Sequence, residues 1–281
     1  MTRGIHILST VPGRKVRGGM PYVPEYFELV CMALSSLKWR KLNGPMTLYC
    51  DRTAYTWFEE HDLLSLWDDV NTDVIESIPD SINQEVFWAG CKLFALRDAK
   101  APVVMVDTDL VVWKRLDRKL FTPVTVLHKE DIVDCYLPKE YLKIRKGYEF
   151  DPDWDWSVRP CNTALAYFAD DAFKEDYTRK AIDFMTDNRD LPMENVSQMV
   201  FAEQRLLAME AARQGLEVSE IVRDPFQAGN DIFTHLWGAK RIARTQPDQR
   251  EMLINALLNS VRRTDRTFYE KLGALRPVTQ G

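Results

Sequence analysis

The sequence lacks a long hydrophobic run, a paired cysteine pattern and an excess of basic charge, and each absence excludes a class of protein. Its apolar runs stay far below the roughly 20 residues that a membrane-spanning helix needs. The five cysteines are odd in number and widely spaced, and none forms a C-x-x-C pair, which argues against a zinc ribbon or a disulfide framework. A formal net charge of -5 gives no dominant basic surface for nucleic acid. We therefore expect a cytoplasmic protein that does not bind nucleic acid.

Short apolar runs alternate with segments of helical periodicity along the 281 residues, a pattern that is typical of an α/β fold. Strands are predicted at residues 5–9, 46–50, 73–78, 103–106, 122–127, 163–168 and 217–222, and helices at 25–41, 54–68, 85–99, 171–188, 200–214 and 247–263. The alternation predicts βαβ units in a mixed, mostly parallel sheet that is flanked by helices. We expect one α/β domain at residues 1–246 and a helical C-terminal extension, residues 247–281, packed on it.

Two aspartates follow the apolar run at residues 103–106, in the sequence Asp107-Thr108-Asp109. In open α/β sheets, ligands bind beyond the carboxyl ends of the strands. Carboxylates two residues apart in a nearly extended chain point to the same side and repel each other. A divalent cation with oxygen ligands, Mg²⁺ or Mn²⁺, removes this repulsion, so the pair is a candidate metal site. The other interpretation is a polar turn that closes the strand.

Residues 103–116, VVMVDTDLVVWKRL, resemble the D-x-D segment of GT-A glycosyltransferases, especially family 8, the group of glycogenin and the bacterial lipopolysaccharide galactosyltransferases. The resemblance implies a GT-A, Rossmann-like fold for the domain. It also implies that Asp107 and Asp109 bind Mn²⁺ or Mg²⁺, which holds the diphosphate of a nucleotide sugar such as a UDP-sugar. Thr108 between them would then line the nucleotide site.

Two further segments resemble motifs of the same family. Residues 161–168, CNTALAYF, put Asn162 where the family has an amide near the donor and acceptor sugars, although this chain has Ala164 at a usual glycine. Residues 201–207, FAEQRLL, put Glu203 and Gln204 at the acidic-Gln pair, whose glutamine lies close to the anomeric carbon in retaining members. The resemblance implies that these three residues form the catalytic group.

Residues 235–240, HLWGAK, resemble the family segment H-x-x-G-x-x-K-P-W. There the histidine completes the metal site and the lysine meets the diphosphate, which implies roles for His235, Gly238 and Lys240. The lysine falls one residue early here and no Pro-Trp follows, so Arg241 or Arg244 could replace it.

The nucleotide is expected to lie at the ends of the first two strands. Ser9 and Thr10 end the first predicted strand, and Asp51 ends the second. These side chains are candidates for contacts to the base and ribose. The Gly-rich loop that follows lacks the G-x-x-x-x-G-K-[ST] pattern, so it is not a P-loop.

A segment of alternating acids and tryptophans, Asp151-Pro-Asp-Trp154-Asp-Trp156, has two interpretations. Indole faces and carboxylates suit a sugar acceptor. Alternatively, the tryptophans anchor a structural loop. An inverting enzyme would also take its base from this segment or from Glu203, whereas the family resemblance favours retention.

The sequence thus predicts a metal-dependent hexosyltransferase that moves a sugar from a nucleotide sugar to a saccharide, glycolipid or other hydroxyl acceptor. Arg262, Arg263 and Arg266 follow an apolar helix face and could touch a membrane that carries a lipid-linked acceptor. One alternative is a haloacid-dehalogenase-type phosphatase with Asp107 as nucleophile and Asp170-Asp171 as Mg²⁺ ligands. Another is a non-catalytic nucleotide-sugar-binding protein.

Overall fold

The computed structural model describes residues 2–189, 196–225 and 230–277. The elements before Asp107 and Asp109 are β1 (Arg3–Leu8), α1 (Arg14–Arg17), α2 (Tyr26–Leu42), β2 (Met46–Cys50), α3 (Arg52–Glu60), β3 (Asp69–Asn71), α4 (Asp73–Glu76), α5 (Cys91–Asp98) and β4 (Val103–Val106). The later elements are β5 (Leu110–Val112), β6 (Val124–Lys129), β7 (Cys161–Phe168), α6 (Asp171–Met185), α7 (Ser197–Val200), α8 (Leu206–Arg213), β8 (Val218–Glu220), β9 (Phe233–His235), α9 (Trp237–Thr245), α10 (Pro247–Thr264) and α11 (Arg266–Ala274). A π-helical turn, Phe201–Arg205, joins α7 to α8.

Seven strands form one sheet in the order β3-β2-β1-β4-β7-β6-β8. The β3, β2, β1 and β4 strands are parallel, and so are β6 and β8. Strand β7 runs antiparallel to both of its neighbours, β4 and β6. A separate antiparallel pair joins β5 to β9. The predicted α/β class, with a mixed and mostly parallel sheet flanked by helices and a helical C-terminal region, is confirmed.

Hydrophobic cores lie on both faces of the sheet, which explains why the central strands read as continuous apolar runs. In β4, Val103 and Met105 contribute to the core under α5 and α6. Val104 and Val106 contribute to the core on the other face, under α2 and α3. The alternation follows from the two-residue period of a strand, and it leaves no polar position until Asp107.

The C-terminal helices pack on the second core. Leu257 and Val261 of α10 and Leu272 of α11 are buried in the same cluster as Phe27 and Leu34 of α2. The division of the chain at residue 246 remains a prediction. No helix within the described residues combines the length and the apolar character that crossing a bilayer requires.

Three predicted elements differ from the structure. The predicted strand at 73–78 is wrong, because Asp73–Glu76 is a helix and the short strand lies before it, at Asp69–Asn71. That strand is only partly buried and pairs on one side, so it carries no long apolar signal. The helix predicted at 85–99 begins at Cys91, after turns in which the backbone carbonyl of Asn83 accepts from Val86 and Phe87. The helix predicted at 54–68 ends at Glu60.

Candidate active site

The aspartate pair lies at the carboxyl end of β4, where a tight turn reverses the chain. The backbone N–H of Asp107 donates to the carbonyl of Ala164 in β7 at 2.8 Å. The N–H of Leu110 then donates back to the carbonyl of Asp107 at 3.0 Å. Thr108 is half-buried in the turn. These bonds fix the pair at a strand end, as the buried run before it predicted.

The pairing of β5 with β9 brings His235 close to Asp109, although more than a hundred residues separate them in the chain. In the register of this pair Leu110 lies opposite His235. The N–H of Leu236 donates to the carbonyl of Asp109 at 2.9 Å, which ties the two segments together. A three-residue strand with one buried residue in its burial pattern carries little sequence signal of its own. The motif order alone had suggested this contact.

Asp107, Asp109 and His235 form a group that can hold one metal ion. One ligand atom from each lies within 4.8 Å of the other two. Ligands about 2.1 Å from a single ion lie at most roughly 4.2 Å apart, so the three side chains would have to move slightly closer to hold one ion. Two carboxylates and a neutral imidazole suit Mn²⁺ or Mg²⁺. The predicted donor set is therefore compatible with a divalent cation.

Two lysines compensate the negative charge of the pair. Lys240 Nζ lies 2.9 Å from Asp109 Oδ2, and His235 Nε2 lies 3.5 Å from Asp109 Oδ1. Burial would raise the pKa of Asp109, which is only 5% exposed, but the hydrogen bond and charge of His235 and Lys240 outweigh it and hold the pKa well below its usual range. Asp109 is thus kept ionised, as metal binding requires.

Lys92 connects Asp107 to Glu203, and sequence reasoning missed it. Its Nζ lies 2.5 Å from Asp107 Oδ1 and 2.9 Å from Glu203 Oε1. Burial lowers the pKa of Lys92, but the two carboxylates outweigh burial and raise it above its usual range. The available signal was a single lysine inside the otherwise apolar run CKLFAL of α5. A fully buried lysine is rarely left unpaired, but the position does not say which carboxylate is its partner.

Glu203 is buried inside the site. It is 2% exposed, and its Oε1 also accepts from the Thr163 hydroxyl at 2.8 Å. Its backbone carbonyl, in the π-helical turn, accepts from the Tyr177 hydroxyl at 2.6 Å. Such turns occur often at functional sites because they re-aim side chains. Glu203 therefore does not lie on an exposed helical face.

Gln204 and Asn162 contact the segment after β6. Gln204 Oε1 accepts from the Tyr136 hydroxyl at 2.5 Å. Asn162 Nδ2 donates to Glu130 Oε1 at 2.6 Å, while its Oδ1 accepts from the N–H of Ala164 at 3.1 Å. Both amides are therefore held in fixed orientations. Gln204 directly follows Glu203, which Lys92 joins to Asp107.

The three residues predicted at the nucleotide end of the sheet meet one another. Asp51 Oδ2 accepts from the N–H of Thr10 at 2.5 Å and from the Ser9 hydroxyl at 3.4 Å. Its Oδ1 accepts from the N–H of Ala54 at 2.9 Å and so caps α3. Asp51 thus joins the ends of β1 and β2. Their contact with a nucleotide remains a prediction.

Gly238 lies in the first turn of α9, close to His235 and Lys240. A Cβ built on it would meet no atom within 4 Å. The protein itself therefore does not need glycine here, and a close approach by a ligand would explain it. The ligand contact of Gly238 remains a prediction.

Residues of the acid-tryptophan segment differ in which of the two interpretations they fit. Trp154 is 5% exposed, and its Nε1 donates to Glu210 Oε2 at 3.0 Å. Asp151 forms an ion pair of 2.8 Å with Lys180. These two residues anchor the loop. Trp156 is half-buried and lines a cavity beside Arg205.

The residues of the phosphatase alternative lie apart. Strand β7 is antiparallel to β4, and Phe168 pairs with Val103. Asp170 and Asp171 therefore lie near the start of β4, whereas Asp107 follows its end. Asp171 Oδ1 accepts from the N–H of Ala101 at 2.9 Å, and Asp170 caps α6. One metal ion cannot join these pairs.

The model of a family described as "Family of unknown function (DUF6734)" matches residues 14–242. No curated protein matches the sequence. The solved structures to which the chain is similar include three with TM-scores of 0.43, 0.43 and 0.35. The first, "PaToxG Glycosyltransferase", is 10% identical, and the match covers 99% of this chain and 81% of that one. The second, the inositol-1-phosphate CTP transferase from T. maritima, is 11% identical, with 92% and 96% covered.

The third, mouse xyloside xylosyltransferase 1, is 12% identical, with 77% of this chain and 84% of that chain covered. TM-scores below 0.5 are too low to support an inference about activity, so function is argued from this chain's own residues. The resemblance to family 8 remains a prediction.

Proposed function

Because the chain belongs to a family of unknown function, DUF6734, we propose its activity from its own site: a metal-dependent transfer of a sugar from a nucleotide sugar to a hydroxyl acceptor. The observation that carries the proposal is the convergence of Asp107, Asp109 and His235 within 4.8 Å. These residues come from two segments far apart in the chain. If the two aspartates only closed a turn, a histidine from a distant segment would not be needed beside them.

The leaving group of such a reaction is a nucleoside diphosphate, on which negative charge builds up. A divalent cation held by the three side chains would supply Lewis-acid stabilisation of that charge. Lys240 lies 2.9 Å from Asp109 and brings a second positive charge to the same place. The positive site suits a diphosphate better than it suits a neutral sugar.

In this proposal Gln204 and Asn162 lie on the acceptor side of the reaction, and Glu203 has a supporting role. Glu203 is buried and already bound to Lys92, so it is poorly suited to take a proton from an incoming hydroxyl. Its role is to hold Lys92 against Asp107. Gln204 then is the candidate for contact with the reacting sugar. A neutral amide there, in place of a free carboxylate base, favours retention of configuration over inversion.

Thermal stability in the presence of candidate donors tests the proposal. The panel contains nucleoside diphosphates and nucleotide sugars, each with Mn²⁺ and with a chelator. Binding at a hundredfold excess over Kd stabilises by about 2.7 kcal/mol, which raises the Tm by roughly 5 °C or more. We expect one base, uracil as UDP or a UDP-sugar, to give that shift, and only with metal.

The variant Asp109→Ala removes one ligand and should abolish the metal-dependent shift. Asp80→Ala is the matched control, because Asp80 is an exposed aspartate outside the site. A full shift in Asp109→Ala would refute the metal assignment. Release of nucleoside diphosphate from the same donor then measures turnover, and its absence with every acceptor would favour the non-catalytic binding protein.

A further inference from the structure

The segment that follows β6 exposes an unusual number of large apolar side chains. Ile132 and Val133 are 46% and 55% exposed, and Tyr141 and Ile144 are 68% and 39% exposed. Single exposed apolar residues are ordinary, whereas several in one segment indicate a binding surface. We call residues 132–146 the apolar-basic segment.

The segment is fixed to the protein, so the exposure is built into the fold. Its buried Leu142 packs in the core under α5 and α6. The N–H of Lys143 donates to Gln198 Oε1 at 3.0 Å, and the carbonyl of Lys143 accepts from Asn188 at 2.6 Å. Both backbone polar groups of Lys143 are therefore bonded to the body of the protein, directly before Ile144.

Lysines are interleaved with the apolar residues. Lys139, Lys143 and Lys146 are all exposed. Among the described residues, none of the three lies within ion-pair distance of a carboxylate, whereas Arg145 pairs with Asp183. The segment also carries two exposed acids, Asp134 and Glu140, so its four basic residues give it a net charge of +2, on a chain of net charge -5. This combination of lysine with aliphatic and tyrosine side chains suits the interface of an anionic bilayer.

A cavity of about 870 Å³ borders the segment. Ile132, Val133 and Lys139 line it, together with Trp156 and Arg205. Tyr136 lines it as well, and the Tyr136 hydroxyl bonds to Gln204. The apolar-basic segment therefore borders an opening next to the residue proposed to meet the sugar.

We propose that the apolar-basic segment docks on an anionic lipid surface and that the cavity receives an acceptor hydroxyl carried by an amphiphile in that surface. The inference rests on the proposed function, because it names the acceptor class for the same site. Aliphatic side chains such as Ile132 and Val133 offer no hydrogen bonds to a free saccharide, but they suit the apolar part of a lipid. Lysines pair with lipid phosphates as point charges.

Vesicle co-sedimentation tests the docking. The full chain is mixed with vesicles of phosphatidylcholine alone, or of equal parts phosphatidylcholine and phosphatidylglycerol, at low and high salt. We expect binding only to the anionic vesicles, weakened by salt because the charges are screened. Lys143→Glu with Lys146→Glu should reduce the affinity at least tenfold, and Tyr141→Ser with Ile144→Ser should also reduce it.

The matched control is Arg262→Glu with Arg263→Glu, which changes the net charge equally on α10. It should bind like the wild type. Loss of binding in this control, no binding of the wild type, or equal binding to neutral vesicles would overturn the proposal. No binding of the wild type would favour a soluble acceptor, such as an apolar peptide.

This experiment needs no donor and no turnover, so its outcome is independent of the nucleotide panel. A metal-dependent nucleotide shift without vesicle binding would refute only the lipid acceptor. Vesicle binding without any nucleotide shift would refute the transferase and leave a lipid-binding surface.

Discussion

At the scale of single residues, the candidate site depends on charges that are buried together. Lys92 is shared by Asp107 and Glu203, and removing one partner leaves the others uncompensated. Breaking a buried ion pair lowers the free energy of unfolding far more than breaking an exposed one. The remaining buried charge has neither water nor an opposite charge to stabilise it. The geometry of the candidate site and the stability of the fold are therefore coupled at Lys92.

We expect Lys92→Met to lower the free energy of unfolding by about 3–5 kcal/mol, because Glu203 becomes an unpaired buried charge. Urea unfolding measures this change. The double variant Lys92→Met with Glu203→Gln should recover much of the loss, since both buried charges are then absent. If the double variant were as unstable as the single one, the loss would come from packing instead.

His6 is a buried neutral histidine whose two ring nitrogens are both bonded. Nδ1 accepts from Trp67 Nε1 at 3.2 Å, which leaves Nε2 to donate to the Ser35 hydroxyl at 3.0 Å. The Ser35 hydroxyl donates in turn to the carbonyl of Leu110 at 2.6 Å, next to Asp109. Burial, opposed only in part by the charge of Asp109, lowers the pKa of His6 to about 3.

The unfolded chain binds a proton at His6 below about pH 6.5, whereas the folded chain does not until about pH 3. The stability that this residue contributes is therefore complete above the unfolded pKa and is lost as the pH falls. Between about pH 7 and about pH 5 the loss is about 2 kcal/mol.

Urea unfolding of the wild type and His6→Asn at the two pH values, in chelator, measures that contribution. The wild type should lose about 2 kcal/mol more than the variant over this range. An equal pH dependence in both proteins would show that His6 already carries the proton when folded. The chelator excludes the pH dependence of metal binding at His235.

At the scale of elements, the π-helical turn Phe201–Arg205 joins the site to the segment after β6. The turn offers Gln204 to the Tyr136 hydroxyl and Arg205 to the carbonyls of Tyr136 and Trp156. One turn of helix thus fixes the orientation of an amide and the path of a long connection. The segment is irregular in secondary structure but not loosely attached.

Tyr136→Phe removes the hydroxyl that holds Gln204 and leaves the ring in place. We expect a loss of about 1 kcal/mol in unfolding free energy, since one hydrogen bond is removed. With a donor identified, turnover should fall while the metal-dependent nucleotide shift stays unchanged, because Gln204 is not a nucleotide contact in the proposal. A reduced nucleotide shift would mean that the change has spread to the metal group.

At the scale of the whole molecule, the C-terminal helices share a core with α2 and one face of the sheet. α2 lies between the sheet and α10, and Tyr26 donates a hydrogen bond of 2.8 Å to the carbonyl of Leu272. Lys240 of α9 also approaches Glu28 of α2 at 3.9 Å. The residues after 246 thus support α2, the helix whose Glu28 lies close to Lys240.

Leu272→Ala tests whether these helices are part of the folding unit. Leu272 is fully buried, so we expect a loss of about 2–5 kcal/mol in a single cooperative unfolding transition. Met252→Ala is the control, because Met252 is exposed on α10 and should change little. A separate early transition in Leu272→Ala would indicate that the extension unfolds independently of the domain.

The sequence by itself determined the fold class and the position of the aspartate pair. Both depend on local patterns: a buried strand is an apolar run, and its end is the first polar position, as at Asp107. The resemblance to family 8 pointed to His235 and Lys240 as further candidates. The sequence by itself misplaced β3, a short strand at one edge, because such a strand buries too little to leave an apolar pattern.

Only the tertiary structure decided which distant side chains form ion pairs and hydrogen bonds with one another. The contact of Lys92 with Glu203 and of Tyr136 with Gln204 depends on how helices pack on the sheet, and a lysine or tyrosine has the same local pattern with or without such a partner. The separation of Asp171 from Asp107 likewise followed from the antiparallel direction of β7. Strand direction and helix packing are set by long-range contacts, which no stretch of sequence contains on its own.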